Sequence, residues 1–236
     1  MNELSSQEKA ARGRVCLPLD GLASLDSVES LLDELSPFVG LFKVGKESFT
    51  RFGPEVITRV QKRGAGVFLD LKYHDIPNTV RGAAKAATEL GVSMITVHAA
   101  GGLAMMSAAR EGVEAGASGS AGAPEVVAVT VLTSIDQATL NWECGVPGTV
   151  EDQVLSLAKL TQAAGLDGVV CSAADLHAFA AGVIGVLLHP GQVFGAVIFD
   201  IEAAAEGKDN HFKAGLFGQS SFFPISINYL LNEFVS

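Results

Sequence analysis

The chain has 236 residues, of which 48% are hydrophobic and 18% charged, and this size suits one domain with one sizeable core, such as a single α/β barrel. Its formal net charge is −10 and it has no run rich in Lys or Arg, which argues against a nucleic-acid partner. Because no 18 consecutive residues are apolar and the first residues lack the apolar segment of a signal peptide, we expect a cytoplasmic protein with no membrane contact.

Short apolar runs alternate with helix-patterned segments along the chain. The patterns predict strands at 15–19, 39–44, 66–72, 94–98, 126–132 and 168–172, separated by helices at 27–35, 53–63, 78–90, 101–115 and 150–164. Repeats of this kind predict a parallel sheet of α/β class that is covered on both faces. A closed (β/α)8 TIM barrel fits better than an open doubly wound sheet, because no Gly-x-Gly-x-x-Gly follows the first strand.

Each predicted strand has a polar residue at or just after its carboxyl end. A parallel barrel brings these ends together at one rim, which is where barrel enzymes have their active sites. Taken singly, each residue is compatible with a purely structural purpose, but their coincidence at one rim favours a functional site. In strand order they are Asp20, Lys43, Asp70 with Lys72, His98, Thr133 with Ser134, and Ser172.

The most informative stretch is 68–79, Phe-Leu-Asp-Leu-Lys-Tyr-His-Asp-Ile-Pro-Asn-Thr. Asp70 and Lys72 are two residues apart on a strand and therefore share one face, while Asp75 and Thr79 follow on the loop that leaves its carboxyl end. Two carboxylates around an ammonium form a charge network that can keep the lysine protonated. A lone Asp-x-Lys is often an idle surface pair, but the whole twelve-residue string favours a functional site.

This string resembles the active-site signature of the bacterial-type orotidine 5'-phosphate decarboxylases. Six further segments resemble motifs of that family in the same order, so the resemblance covers residues from about 15 to 178. It implies a (β/α)8 barrel and a cofactor-free carboxy-lyase that converts orotidine 5'-phosphate to uridine 5'-phosphate in de novo pyrimidine synthesis. The six segments are 18–20, 42–47, 52–54, 96–102, 129–134 and 165–173.

The resemblance also implies how the charged residues act. Lys72 is the proton donor to the C6 carbanion after CO2 has left, and Asp70 is its charged neighbour beside the substrate carboxylate. Lys43 and Asp20 contact the ribose and the charge network, while Thr133 lies near the pyrimidine or its phosphate-side loop. Because a preorganised ammonium can both stabilise and protonate the carbanion, no cofactor and no metal are implied.

In this family the counterparts of Asp75 and Thr79 reach into the site of the partner subunit, which implies an obligate homodimer. The predicted catalytic residues are therefore Lys72, Asp70, Asp75 and Lys43. The predicted substrate-binding residues are, in chain order, Asp20, Lys43, Asp70, Thr79, His98, Thr133 and Ser134.

The resemblance stops near residue 178. The family's last quarter should bring a Thr-Pro-Gly-Ile-Arg-Pro-like turn and then a Gly-Arg-Pro-Ile-like turn, which grip the substrate phosphate with an arginine and with backbone N–H groups. Residues 187–191 match the first turn only faintly, and no arginine follows Arg110. We therefore expect one domain over 1–236, with a lead-in at 1–13, a divergent tail from about 185 to 236, and the last one or two β-α units atypical or incomplete.

Two alternatives stay open at this point. A metal-dependent sugar-phosphate decarboxylase or aldolase of the same superfamily resembles the Asp-x-Lys-x-x-Asp pattern, but it has an acidic metal ligand where this chain has Lys43, whose charge repels Mg²⁺. A catalytically impaired nucleotide-binding barrel is the other alternative, because the phosphate grip is missing. Since a charge-assisted hydrogen bond is worth roughly 1.5–3 kcal/mol, losing more than one predicts substrate binding weakened by at least about a hundredfold.

Overall fold

The computed structural model describes residues 12–13, 15–117 and 122–171, together with the backbone of Val197–Ile198. In this part of the chain, parallel strands form a single sheet with the order β6-β5-β4-β3-β2-β1-β7. The strands are β1 (Val15–Pro18), β2 (Leu41–Gly45), β3 (Gly66–Tyr73), β4 (Met94–His98), β5 (Glu125–Val129), β6 (Gly168–Val170) and β7 (Val197–Ile198).

Helices connect the successive strands. The first helix begins after Ser24, whose hydroxyl accepts the N–H of Ser27, and the last begins with a reciprocal capping box between Thr149 and Asp152. No helix in the described ranges is both long and apolar enough to cross a bilayer. The helices are α1 (Leu25–Leu35), α2 (Lys46–Phe52), α3 (Glu55–Gln61), α4 (Pro77–Glu89), α5 (Gly102–Gly116) and α6 (Val150–Ala163), with a 3₁₀ turn at Ala99–Gly101 and a π-helix at Thr139–Glu143.

The strand order confirms the predicted barrel type. Strands β1 to β6 lie side by side in the order of the sequence, and β7 pairs with the free edge of β1. A doubly wound sheet would instead reverse its order part of the way across. The described strands therefore form a partial (β/α)8 barrel. The predicted lead-in and tail, and the strand end at Ser172, lie outside the described residues apart from 12–13 and the backbone of Val197–Ile198.

Buried apolar side chains form two clusters on opposite faces of the sheet. In β3, Val67 and Leu69 belong to the larger cluster, which includes the apolar faces of the helices. Phe68 lies between them in sequence and therefore points to the inner face of the sheet. The inner cluster consists of Cys16, Phe68 and Met94, with Leu41 and Val127 packed against it.

The inner cluster forms an apolar floor beneath the carboxyl ends of the strands. Because residues two apart on a strand share a face, Lys43 and Asp70 stand one layer nearer the carboxyl end than this floor. Burial raises the pKa of the Cys16 thiol to about 12, so this thiol stays uncharged below the charged layer. Along the inner face of β2 and β3, apolar residues are followed by charged ones toward the carboxyl end, which separates an apolar floor from a polar layer above it.

Two short helices are missing from the sequence-based prediction. The sequence predicts one helix at 53–63, whereas the structure has α2 and α3 on either side of Gly53, which adopts a φ of +60° that glycine tolerates. Helix α2 has seven residues and no side-chain cap, so its sequence pattern is too short to stand out. The π-helix is likewise a single short element, and such elements lack a distinctive periodicity.

Helices α4 and α5 pack closely because glycines lie between them. A Cβ atom on Gly112 would lie 2.4 Å from the carbonyl oxygen of Arg81, and one on Gly116 would lie 2.8 Å from that of Lys85. Both distances are far below van der Waals contact, and both obstacles are backbone atoms that cannot move aside easily. The separation of the two helices is therefore set by the absence of side chains at these positions.

We expect Gly112→Ala to lower the melting temperature and Gly82→Ala to raise it. Alanine gains about 1 kcal/mol of helix propensity at both positions, but overpacking costs roughly 1–3 kcal/mol, and a clash with backbone puts Gly112→Ala at the upper end of that range. Gly82 is the matched control, because it lies in α4 with no atom within 4 Å of an added Cβ. Thermal unfolding of the two variants measures the difference, and a rise for both would contradict the packing argument.

Candidate active site

Strands β1, β2 and β3 bring four charged side chains together at the carboxyl end of the sheet. The Nζ atom of Lys43 lies 2.5 Å from Oδ2 of Asp20 and 3.6 Å from Oδ2 of Asp70. The Nζ atom of Lys72 lies 2.7 Å from the same Oδ2 of Asp70. We call these four residues the charged cluster. Carboxylates and ammonium groups alternate along the charged cluster. The contact between Asp70 and Lys72 was expected from the sequence, because the two residues share one face of the strand.

Asp70 is the most buried member of the charged cluster. Its side chain is 8% exposed, whereas that of Asp20 is 40% exposed. A carboxylate removed from water in this way requires charged or hydrogen-bonding partners, since an unpaired buried charge is strongly destabilising. Burial by itself lowers the pKa of Lys43, but the hydrogen bond and charge of Asp20, together with Asp70, outweigh it and raise the pKa. Lys43 therefore stays protonated.

The backbone at Lys72 departs from strand geometry. Its φ is +50°, and within the described ranges Lys72 is the one residue other than glycine with a positive φ. The pairing of β3 with β4 shifts register between Leu69 and Tyr73, which marks a bulge in the strand. Such a conformation costs roughly 1–3 kcal/mol and needs support from its surroundings. Bulges re-aim side chains next to active sites, and here the re-aimed side chain is the one that meets Asp70.

Thr96 belongs to the site, although the sequence analysis did not select it. Its side chain is fully buried in β4. Its hydroxyl donates to Oδ1 of Asp70 over 2.9 Å and accepts the backbone N–H of Lys72 over 2.8 Å. One signal in the sequence could have identified it: Thr96 lies two residues before His98 on the same strand, and therefore on the same face.

Asp20 is held in place by the close approach of β1 and β2. A Cβ atom on Gly45 would lie 2.5 Å from Oδ1 of Asp20, so the carboxylate occupies space that any other residue would fill. The backbone N–H of Leu19 donates to the carbonyl of Lys43, and the buried hydroxyl of Ser48 donates to the carbonyl of Leu19. Hydrogen bonds to both the N–H and the carbonyl of Leu19 thus hold the turn that carries Asp20.

His98 lies at the end of β4 beside a second histidine. The ring centroids of His74 and His98 are 5.3 Å apart and the rings are tilted by 38°. Burial lowers the pKa of His98, and the charges of His74, Lys46 and Lys72 lower it further, while Asp70 opposes them. His98 is therefore neutral at neutral pH, when its ring carries one hydrogen-bond donor and one acceptor.

Besides His98, four predicted site residues do not join the charged cluster within the single chain. Asp75 is exposed, and its Oδ1 accepts the backbone N–H of Ile76 over 2.7 Å instead of pairing with Lys72. This corrects the expectation that two carboxylates flank the lysine in one chain, because Asp75 binds the backbone that leads into α4. Thr79 is exposed in the first turn of α4, and Thr133 and Ser134 are exposed on the turn after β5.

Among the described residues, no group of three or more His, Cys, Asp or Glu could hold a metal ion.

Residues 13–191 match the family model described as "Orotidine 5'-phosphate decarboxylase / HUMPS family". Among curated proteins, the orotidine 5'-phosphate decarboxylase of Moorella thermoacetica is 48% identical over 184 residues, which cover 77% of this chain and 73% of that protein. That of Halorhodospira halophila is 50% identical over 177 residues, covering 73% and 72%. The matched region extends beyond the point near residue 178 at which the resemblance of motifs stops.

Solved structures show the same similarity. The orotidine 5'-phosphate decarboxylase of Lactobacillus acidophilus superposes with a TM-score of 0.66 at 38% identity, covering 72% of this chain and 75% of that one. An uncharacterized conserved protein from Geobacillus kaustophilus superposes with a TM-score of 0.67 at 39% identity, covering 71% and 77%. Both matches agree with a partial barrel built from the described strands.

We expect His98 to make the folded protein lose stability as the pH falls. The folded pKa of His98 lies below its value of about 6.5 in an unfolded chain, so the unfolded chain binds the proton first. The stability contributed by neutral His98 is present above about pH 6.5 and is lost as the pH falls toward the folded pKa. Between about pH 8 and about pH 5, the free energy of unfolding in urea should therefore drop less for His98→Asn than for the wild type. Parallel pH profiles for the two proteins would contradict this.

Proposed function

The chain belongs to the orotidine 5'-phosphate decarboxylase / HUMPS family, and we propose that it is a carboxy-lyase that converts orotidine 5'-phosphate to uridine 5'-phosphate in pyrimidine synthesis. The observation that carries this proposal is the charged cluster, Asp20–Lys43–Asp70–Lys72, at the carboxyl end of a barrel sheet. An enzyme of this metabolic role would act in the cytoplasm, which we propose as its location.

Decarboxylation at C6 of the pyrimidine needs a cation beside C6 to stabilise the carbanion and a proton donor at the same place. When the bond between C6 and the carboxylate breaks, CO2 leaves and the electron pair stays on C6 in an orbital that the ring cannot delocalise. The ammonium of Lys72 would stabilise that pair and then transfer its proton to C6, after which the neutral amine regains a proton from water. Fixed charges are most effective where water is excluded. Because the ammonium of Lys72 would supply both the stabilising charge and the proton, the reaction would need no cofactor.

We assign Asp70 and Lys43 to the organisation of that ammonium. Asp70 contacts Lys72 directly and, through the same oxygen, faces Lys43, so that each ammonium has a carboxylate partner. Asp70 would lie beside the carboxylate that departs from the substrate. Lys43 and Asp20, at the other end of the cluster, would bind the ribose hydroxyls.

The remaining predicted binding residues surround the charged cluster. We propose that His98, at the end of β4, contributes to substrate binding with its neutral ring. Thr133 and Ser134, on the turn after β5, would approach the pyrimidine or its phosphate-side loop, and their exposure leaves their hydroxyls available for a ligand. In this proposal Thr79 binds substrate in the other subunit.

We further propose a homodimer in which Asp75 and Thr79 cross to the partner's site. Two features of the β3–α4 segment and one of α5 support it. Asp75 and Thr79 are exposed and do not contact the charged cluster of their own chain. Between them, the apolar side chain of Ile76 is 67% exposed, and Leu103, at the start of α5, is also exposed. Large apolar side chains exposed beside functional residues are typical of surfaces that are covered by another protein.

A second candidate function is favoured by one feature of the sequence. No arginine follows Arg110, so the arginine that the family resemblance implies for the phosphate grip is missing. A nucleotide-binding barrel with impaired catalysis would fit that absence. We propose one domain over 1–236, with a lead-in at 1–13 and a divergent tail from about 185 to 236, for either candidate. A metal-dependent decarboxylase or aldolase is not favoured, because the ammonium of Lys43 would repel a divalent cation.

Lys72→Ala should abolish turnover without unfolding the protein. General acid catalysis contributes roughly 10²- to 10⁴-fold to a rate, and the variant also loses the cation that stabilises the carbanion, so we expect kcat to fall by at least that factor. The loss of absorbance of orotidine 5'-phosphate in the ultraviolet measures the rate. Lys62→Ala is the control, because Lys62 follows α3 near the amino end of β3, at the opposite end of the sheet.

The same absorbance assay distinguishes the candidate functions. A Lys72→Ala variant that keeps more than a small fraction of the wild-type kcat would overturn the assignment of Lys72. A wild-type chain that binds uridine 5'-phosphate but does not turn over orotidine 5'-phosphate would support the impaired barrel instead. Loss of wild-type activity on adding a chelator would favour the metal-dependent alternative.

Mixing two inactive variants should restore activity if the sites are shared between subunits. In a heterodimer of Lys72→Ala and Asp75→Asn chains, one site combines the intact Lys72 of one chain with the intact Asp75 of the other. Turnover should therefore recover after subunit exchange. The control mixture, Lys72→Ala with Asp70→Asn, should stay inactive because both residues belong to the same half of the site. If the first mixture stays as inactive as the second, the shared-site proposal is wrong.

A further inference from the structure

The hydroxyl of Thr96 is the one side-chain group that touches both the carboxylate of Asp70 and the backbone of Lys72 in the described part of the chain. It lies on the inner face of β4, with no exposure to solvent. Its position coincides with the bulge in β3, where the pairing of β3 with β4 is interrupted between Leu69 and Tyr73.

The directions of the two hydrogen bonds follow from the groups involved. The backbone N–H of Lys72 can only donate, so the oxygen of Thr96 accepts there. Asp70 has two ammonium groups beside it and is an acceptor, so the hydroxyl hydrogen of Thr96 points to its Oδ1. A hydroxyl can serve both groups at once, whereas a methyl group of the same size can serve neither.

We propose that Thr96 is the positioning residue of the site. Its hydroxyl holds the backbone of Lys72 in the left-handed conformation and fixes Oδ1 of Asp70, so that Oδ2 faces the two ammonium groups. The β-branched side chain restricts χ1 and therefore keeps this hydroxyl in one place. Thr96 does not contact the reacting atoms. It acts through the two residues that do.

Thr96→Val tests this role, because valine keeps the shape and removes the hydroxyl. We expect kcat to fall roughly 10- to 100-fold, the effect of a small misplacement of a reacting group, with little change in KM, since the residue touches no substrate. Thr96→Ser keeps the hydroxyl and should restore kcat to within about tenfold of the wild type. Thr161→Val is the matched control, because Thr161 is equally buried but its hydroxyl donates to the carbonyl of Leu157 within α6.

A second measurement does not depend on turnover. The backbone N–H of Lys72 should exchange with solvent faster in Thr96→Val than in the wild type or in Thr161→Val, because its acceptor is gone. The kinetic part of the test rests on the proposed decarboxylation, whereas amide exchange does not. A wild-type chain without turnover would therefore count against the proposed function, while the exchange data would still decide the role of Thr96.

Two results would overturn the proposal. One is a Thr96→Val enzyme with kcat within about threefold of the wild type, and the other is unchanged exchange at Lys72. If Thr96→Val does not fold, Thr96→Ser and Thr96→Ala replace it, since they differ from each other only in the hydroxyl. Serine must then keep both kcat and the protection of the Lys72 amide, and alanine must lose both.

Discussion

The site depends on one buried carboxylate. Asp70 is removed from water between two ammonium groups, and a charge in that position is tolerated only if all its partners are present. Lys43 needs a second carboxylate to remain charged against burial, and Asp20 supplies it from the neighbouring strand. Asp20 in turn requires a residue without a side chain at Gly45. Each of these constraints follows from the burial of Asp70. Residues on or just after the three adjacent strands β1, β2 and β3 are therefore all needed to stabilise this one charge.

The barrel scaffold tolerates this buried charge because it separates an apolar layer from the charged layer above it. Apolar side chains on the inner face of the sheet fill the space below Asp70 and Lys43, and the helices cover the outer face. Parallel strands in sequence order bring their carboxyl ends to one edge, so residues distant in the chain meet without long loops. The strain at Lys72 is confined to a single residue at the point where the strand ends.

The sequence was sufficient for the fold class and for all four members of the charged cluster, because both follow from the strand pattern and from the residues at the strand ends. Short apolar runs between helix-patterned segments identify the strands, and the polar residue at each strand end identifies the rim. Periodicity puts Thr96 on the same face as His98, but its two contacts were not predictable, because they depend on the bulge at Lys72 and a bulge leaves no periodic signal. The hydrogen bond of Asp75 to the backbone of Ile76, in place of an ion pair with Lys72, was equally unpredictable, since the direction of a loop depends on its turn geometry and not on residue spacing.

The charged cluster contains two carboxylates against two ammonium groups, and so it is neutral as a whole, within a chain whose formal net charge is −10. From a distance, an anionic nucleotide therefore meets the repulsion of the chain's net charge, which the neutral charged cluster does not offset. Dissolved salt weakens repulsion over distances beyond about 10 Å at 0.1 M ionic strength, while contacts inside the buried cluster are screened much less. We therefore expect productive encounters with an anion to become more frequent as ionic strength rises, the opposite of an enzyme that attracts its substrate by charge.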